Sequence, residues 1–282
     1  MVGRKQMKNG PFFTIIIVNF NSGAKLRNTL RGVLAQTSRD FEVIIKDAVS
    51  SDKSMSDLPA DPRISIISSK DRGIYDGMNI AVRQATGRYV IFLNCGDGFE
   101  GTGVLGNVHR EILSGENSGQ NEGYAGPYIF YGDILERATG QTVKANPVMD
   151  DFACYRNLPC HQACFYSREL FEKRGFDLDL KVRADYEHFL YCKYRLGARP
   201  VYLGFTVADY EGGGFSETEE NRRISAKEHR LVTELYLPLR SRICFESYMI
   251  LTLQPLREKL SHGKHTAAIY DRIKNSIYNR KK

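Results

Sequence analysis

Asparagine, aspartate and serine gather in four short stretches, each directly behind a run of apolar residues. Asn19-Phe-Asn21-Ser22 follows Phe12–Val18, and Asp47-Ala-Val-Ser50-Ser-Asp52 follows Phe41–Ile45. Ser69-Lys70-Asp-Arg72-Gly-Ile-Tyr-Asp76-Gly-Met-Asn79 follows Arg63–Ile67, and Asn94-Cys-Gly-Asp97 follows Arg88–Leu93. Carboxylates and amides are the groups that hold hard divalent cations and move protons. Any single stretch reads equally well as turn and helix-cap chemistry, because Asp, Asn and Ser start turns and cap helices. Four of them at four strand ends point to a polar ligand site, since ligands of open α/β sheets lie beyond the carboxyl ends of the strands.

The elements that must position these groups alternate. Phe12–Val18 is a continuous β-branched and aromatic run, the pattern of a strand covered on both faces. Leu26, Leu30, Val33 and Leu34 form one stripe of a helix, as do Met78, Ala81, Val82 and Ala85, with Gly87 placed to end the second. With strands expected at 41–45, 63–67 and 88–93, the order is β-α-β-β-α-β, hence an α/β fold with a mainly parallel sheet. The middle loses that rhythm. Residues 115–126 read as a surface loop, 128–135 and 162–166 as further strands, and Tyr186, Phe189, Leu190 and Tyr194 as a helix stopping near Gly197. Beyond the Gly212-Gly-Gly214 turn, 217–278 reads as helical, broken at Pro238 and Pro255.

The chain has 282 residues, 42% hydrophobic and 26% charged, which excludes a disordered, collagenous or disulfide-scaffold protein. Its longest apolar run has seven members, far short of the ~20 that span a bilayer. No apolar stretch of signal-peptide length follows the N-terminus, and six scattered cysteines suit a reducing compartment, so the expected location is cytoplasmic. The net charge is +7, and residues 257–282 hold eight Lys or Arg against Glu258 and Asp271. The basic character therefore belongs to a tail. Ile250, Leu251, Leu253, Leu256, Leu260, Ile269, Ile273 and Ile277 are interleaved with those charges, as in an amphipathic helix on an anionic membrane. The same pattern suits a helix packed on the main domain or on a second subunit, as in a homodimer. No nucleic-acid motif accompanies it.

These stretches, taken in order, resemble glycosyltransferase family 2 and its GT-A fold. The matching segments are Thr14–Asn21, Leu34–Thr37, Asp47–Asp52, Lys70–Asn79, Ala85–Gly87, Phe92–Asp97, Tyr131–Asp133, His161-Gln162 and Ala184–Glu187. Within the family the likeness lies closest to bacterial enzymes of surface-polysaccharide synthesis. It implies a GT-A-like catalytic domain over 1–216, with a nucleotide-binding half at about 12–100 and an acceptor half at about 101–216. A helical, basic extension would occupy 217–282. By the resemblance, Asp97 of the Asp-x-Asp-like signature holds Mn2+ or Mg2+, with Asn94 standing where a second carboxylate is frequent. Asp47 would meet the nucleobase, although Asp47-Ala-Val-Ser50 departs from the family's usual Asp-Gly-Gly-Ser. Asn19 and Asn21 would lie beside base and ribose, and Lys70, Arg72, Asp76 and Asn79 along the donor. Asp185 would be the general base for an acceptor hydroxyl, with Glu187 on another helix face. Asp133, His161, Glu187 and Ser216 are candidate acceptor or diphosphate contacts.

The resulting expectation is an inverting transferase that moves a sugar from a nucleoside-diphosphate sugar, with uridine as its base, to a saccharide or lipid-linked saccharide hydroxyl. Two alternatives stand beside it. A sugar-nucleotide nucleotidyltransferase should carry a Gly-rich, Arg-containing phosphate loop near its first strand, which Asn19-Phe-Asn-Ser-Gly23 is not. A catalytically silent nucleotide-sugar-binding protein is motivated by the departures at Ala48 and Asn94. Zinc at Cys154, Cys160, His161 and Cys164 is disfavoured, because the spacing lacks paired Cys-x-x-Cys units.

Overall fold

The computed structural model describes residues 10–117, 126–212 and 218–252. Its first half follows the expected alternation: β1 (Phe13–Asn19), α1 (Lys25–Leu34), β2 (Phe41–Asp47), β3 (Ile64–Ser68), α2 (Ile74–Val82) and β4 (Tyr89–Asn94). Next come β5 (Gly98–Phe99), α3 (Val104–Asn117), β6 (Tyr128–Glu136), β7 (Gln141–Val143) and α4 (Asp151–Arg156). The chain continues through β8 (Cys164–Ser167), α5 (Ala184–Tyr194), β9 (Arg199–Tyr210), α6 (Glu219–Tyr236) and α7 (Leu239–Leu251).

One sheet of nine strands runs β3-β2-β1-β4-β8-β6-β9-β5, with β7 paired to β6. The β3-β2-β1-β4 half is wholly parallel. In the other half β8 runs antiparallel to both neighbours through short ladders, while β6 and β9 pair in parallel from Tyr128↔Arg199 to Glu136↔Tyr210. The sheet is thus mainly parallel by paired length, as the α/β reading expects.

Alternation along β1 explains the layers. Phe13, Ile15 and Ile17 pack with Leu26, Leu30 and Val33 of α1 and with Val104, Leu105 and Val108 of α3. Ile16, one residue out of phase, joins Met78, Ala81 and Val82 of α2 on the other face. Both faces are dry, which is why β1 is an unbroken apolar run. A Cβ on Gly87 would come within 2.6 Å of the Phe13 and Thr14 backbone, so the chain can enter β4 this close to β1 only through glycine.

Two elements depart from the sequence reading. Residues 115–117 belong to α3, whose Val104, Leu105, Val108 and Ile112 stripe is diluted by Gly106, Asn107 and Gly115. The other, β9, is the longest strand yet does not read as one. It starts with Pro200 inside, carries Gly204 at φ +80°, and shifts register against β6, so its alternation is broken. Gln162 lies in a 3₁₀ turn (His161–Ala163), not in β8.

The described chain divides into two compact units, 1–232 and 233–282. The first continues through Val232, past the expected boundary at 216. The second contains α7, which has no buried residue, and exposes Leu239, Ile243, Ile250 and Leu251. Pro255, the basic tail and Ser216 lie outside the described residues.

Candidate active site

The strand ends of the parallel half are held by a buried ion pair. Lys46 on β2, wholly buried, donates to the Asp47 and Ser69 carbonyls at 3.0 and 2.6 Å and to Asp71 Oδ2 at 2.7 Å. All three ammonium donors are satisfied, the condition under which a charge can remain inside. The strut fixes the turn that leads into α2.

Next to it, Asn19 and Asp47 form a closed bracket. Asn19 Nδ2 reaches Asp47 Oδ1, Ser50 Oγ and Ser54 Oγ at 2.8, 3.1 and 3.0 Å. Asp47 also accepts from Ser50 N, Ser50 Oγ and Ser68 Oγ. Burial pushes its carboxyl upward, but these hydrogen bonds together hold it below the usual carboxylate range. With four bonds its two oxygens are saturated. Asn19 and Asp47, the residues expected beside the base, are both 2% exposed and frame the 48–52 loop from within. Val49 takes φ +62°, a left-handed backbone that β-branched residues rarely adopt. The loop holds that conformation at a strain of about 1–3 kcal/mol. Phe20, 66% exposed, and Asn21, whose side chain caps Ser51 N at 2.9 Å, form the surface there.

A cavity of about 480 Å³ opens at the carboxyl end of β4, where Asn94, Asp97, His161 and Asp185 meet around one space. Its Asp97 wall is built by three segments. Thr29 of α1 ties the turn through Gly96 N and Asp97 O at 3.0 and 2.7 Å. Glu211, just beyond β9, donates its N–H to Asp97 Oδ1 at 2.9 Å, and Gln162 Nε2 reaches Oδ2 at 2.8 Å. A Cβ on Gly96, at φ +107°, would run into the Glu211 carboxylate, so glycine is required. Burial raises the Asp97 carboxyl against the lowering effect of those hydrogen bonds. Asn94 Oδ1 is buried with no hydrogen-bond partner. An ionised carboxylate and an orphaned amide oxygen three residues apart are a hard-oxygen pair that fits Mg2+ or Mn2+, which take one or two protein oxygens plus phosphates and water. Among the described residues no group of three or more His, Cys, Asp and Glu is placed to enclose a metal.

Asp185 stands across the cavity in the first turn of α5. Tyr75 Oη lies between its Oδ1, at 3.0 Å, and the Val182 carbonyl, at 2.7 Å; Tyr186 N donates to Oδ1 at 2.9 Å, and Oδ2 lies 3.1 Å from His161 Nδ1. Burial would raise this carboxyl; the bonds from His161, Tyr186 and Tyr75 outweigh it and hold it low. The segment before α5 is clamped from α6. Glu228 accepts the backbone N–H groups of Lys181, Val182 and Arg183 at 2.7, 3.0 and 2.8 Å. No side chain at Arg183 caps α5; Glu228 instead fixes, from another helix, the three residues that lead into it.

Several of the expected donor and acceptor residues have partners within the fold. Asp76 accepts Arg72 N at 2.9 Å and caps its own turn. Asn79 bonds Phe176 N and O at 2.8 and 2.9 Å, a strap between α2 and the 176 segment. Asp133 is spent on Ala145 N and Tyr202 Oη. Glu187 is buried against Arg174 on the far face of α5. Each carries a polar group that folding has already paired. Lys70 and Arg72 stay exposed at the rim of the 69–72 turn. Four residues with a part in the site escaped the sequence reading as individuals: Tyr75, Gln162, Glu211 and Glu228. The first two sit inside motifs already singled out, whereas nothing local marks Glu211 or Glu228.

The sequence profile described as Glycosyl transferase family 2 matches residues 14–98. A "PGL/p-HBAD biosynthesis glycosyltransferase" of Mycobacterium bovis (strain BCG / Pasteur 1173P2) is 33% identical over 216 residues, 74% of this chain and 80% of the relative. Among solved structures, S. aureus TarS 1-349 in complex with UDP-GlcNAc superposes with a TM-score of 0.56 at 16% identity, covering 78% of this chain and 65% of that one. Against a longer S. aureus TarS chain, this protein spans 43% of the length. The mannosyltransferase PcManGT of Pyrobaculum calidifontis, in complex with GDP-Man and Mn2+, gives 0.53 at 16% identity, covering 96% and 81%. These neighbours are GT-A glycosyltransferases, and at such identities the likeness is one of fold. The cavity lined by Asn94, Asp97 and Asp185 thus sits in a chain that belongs to glycosyltransferase family 2.

Proposed function

We propose that this protein transfers a hexosyl or N-acetylhexosaminyl group from a UDP-sugar to a hydroxyl of a saccharide or lipid-linked saccharide, with inversion, in the synthesis of a surface polysaccharide or glycolipid. One observation carries the reading: Asn94, Asp97 and the His161–Asp185 pair line a single cavity. A donor's diphosphate and an acceptor's hydroxyl need opposite ends of such a space. The uridine side lies along Phe20, Asn21 and the 48–52 loop, where an exposed aromatic face and amide groups suit a base and ribose. Lys25, Arg183 and Arg222 on the cavity wall, with Lys70 and Arg72 exposed on the 69–72 turn, supply positive charge toward the diphosphate. A divalent cation held by Asp97 and Asn94 would neutralise charge on the leaving diphosphate. The acceptor proton is removed at the Asp185 end, and attack comes from the face opposite the nucleotide. The relative named for PGL/p-HBAD biosynthesis supports a glycolipid-type acceptor, and the neighbours' UDP-GlcNAc, GDP-Man and Mn2+ support a nucleotide-sugar donor with a metal.

Thermal unfolding of the full chain with UDP, GDP and dTDP, with and without Mn2+, tests the donor half. At a hundredfold excess over its Kd a ligand stabilises by about 2.7 kcal/mol, a rise of several degrees in Tm. UDP with Mn2+ should give the largest rise. A larger one with GDP removes uridine, and no rise with any nucleotide removes the donor reading.

The acceptor's surroundings follow from charge. No helix among the described residues is long and apolar enough to cross a membrane. We place the second unit on an anionic lipid surface, through the apolar residues exposed on α7 and the net positive charge of 257–282. Each Lys or Arg near such a surface contributes about 1 kcal/mol, screened by salt over ~8–10 Å. The full chain should float with phosphatidylserine-containing vesicles at low salt and be released at high salt. Equal flotation of a chain ending at Thr252 sinks the role of the tail.

A further inference from the structure

Two guanidinium groups on the cavity wall, Arg183 and Arg222, are ion-paired with no carboxylate among the described residues. Arg183, half-buried, comes two residues before Asp185 at the start of α5. Its Nε donates to Ser225 Oγ of α6 at 2.7 Å, and its Cζ lies 5.4 Å from the Tyr186 ring centroid. Arg222, exposed, stands three residues before Ser225, which puts the two on one face of α6. Arg183, Arg222 and Ser225 all line the cavity that holds Asp185. The acids around them are spent on other groups. Glu219 meets Arg223 at 2.7 Å, Glu220 meets Lys181 at 3.3 Å, and Glu228 accepts the backbone N–H groups ahead of α5. Lys25, another cation on the wall, is held at 2.6 Å by Glu211, whose N–H fixes Asp97. Arg183 and Arg222 are thus two charged forks within reach of a solute, and a guanidinium fork matches two oxygens of a carboxylate or phosphate.

We propose that Arg183 and Arg222 form an oxyanion subsite for the acceptor: the saccharide that presents its hydroxyl to Asp185 carries a phosphate ester or a carboxylate that these two forks hold. This rests on the glycosyltransferase reading and narrows its acceptor class. Placement favours the acceptor over the donor. Arg183 shares a turn of chain with Asp185, and Ser225 joins it to the face of α6 that carries Arg222. No hydrogen bond among the described residues ties either arginine to Asn94 or Asp97. Charge favours an anion over a neutral sugar. Two like charges brought together on one wall repel each other, and an oxyanion between them relieves that repulsion. The same pair offsets the repulsion an anionic acceptor would meet from Asp185. The field of the arginines also reaches the donor's diphosphate, but their hydrogen bonds go to the group that lies beside Asp185.

The test titrates the full chain, its donor site filled with UDP and Mn2+, by ligand-observed NMR. The probes are N-acetylglucosamine 1-phosphate and glucuronate, each set against its neutral counterpart, N-acetylglucosamine or glucose. At least one anionic sugar should bind about tenfold or more tightly than its counterpart, the worth of a hydrogen bond to a charged group. Which of the two does so separates phosphate from carboxylate. Arg222→Gln, at an exposed helix position, should remove that preference while UDP affinity falls by less than about threefold, the share of a screened charge without contact. Arg183→Gln should act in the same direction and keep the UDP-induced rise in Tm. Absence of any preference in the wild type, or a preference that survives both substitutions, overturns the proposal. So does a loss of UDP affinity as large as the loss for the anionic sugar, which assigns the arginines to the donor's diphosphate. If UDP does not bind the wild type, it is the donor reading that fails, and the same titrations without UDP, on the wild type and Arg222→Gln, still decide the subsite.

Discussion

Asp185→Asn is expected to leave donor binding intact and to lower transfer by about 10²–10⁴-fold, the contribution of a positioned base. The substitution keeps size and keeps the bonds from Tyr75 and Tyr186 N, so α5 should start where it does now. What changes is the partner of His161. A neutral amide cannot take up a proton as the carboxylate can, and it meets the imidazole without the charge. Glu187→Gln should do much less to turnover. Glu187 is 3% exposed on the far face of α5, where it meets Arg174, and its loss should appear as lower stability. Initial rates and denaturation midpoints of the two variants check the pair: a larger kinetic loss at Glu187 than at Asp185 would move the base to Glu187.

Asp97→Ala should abolish the metal-dependent part of UDP binding and lower turnover by about 10²–10³-fold, the usual loss when a preorganised charge at a leaving group is removed. Two features make the effect large. Asp97 is the anionic member of an otherwise neutral oxygen pair with Asn94, so no second carboxylate takes over. Its oxygens also anchor Gln162 and Glu211 N, which hold the walls of the cavity. Titration calorimetry with UDP, in Mn2+ and in chelator, separates the two roles. The wild type should bind more tightly with metal, and the variant equally in both. Retention of the metal's effect in the variant would move the cation elsewhere.

The parallel half of the fold was legible because its signals are local. β1, β2 and β4 are rich in apolar residues because both faces of the sheet are covered, and each is followed by its polar cluster. The second half was not, for a physical reason visible in β9. Its pairing with β6 spans most of the strand but passes through register shifts and Gly204, so no alternation survives to be read. The role of Asp133 was obscured by the same sheet, because only the pairing of β6 with β9 brings Tyr202 to it.

Residue types and order by themselves determined that a polar ligand site lies at the strand ends, that Asn94, Asp97, His161 and Asp185 are its candidates, and which family the chain resembles. They could not say which carboxylates folding would consume. Asp47, Asp76, Asp133 and Glu187 look equally available in a string of letters, yet each is spent on neighbours that only the folded chain supplies. Nor could they show that Glu228, far along the chain on α6, clamps the start of α5. Whether a polar atom is free for chemistry depends on which partners tertiary contacts bring within about 3 Å, and hydrogen bonds of that reach leave no trace in sequence spacing.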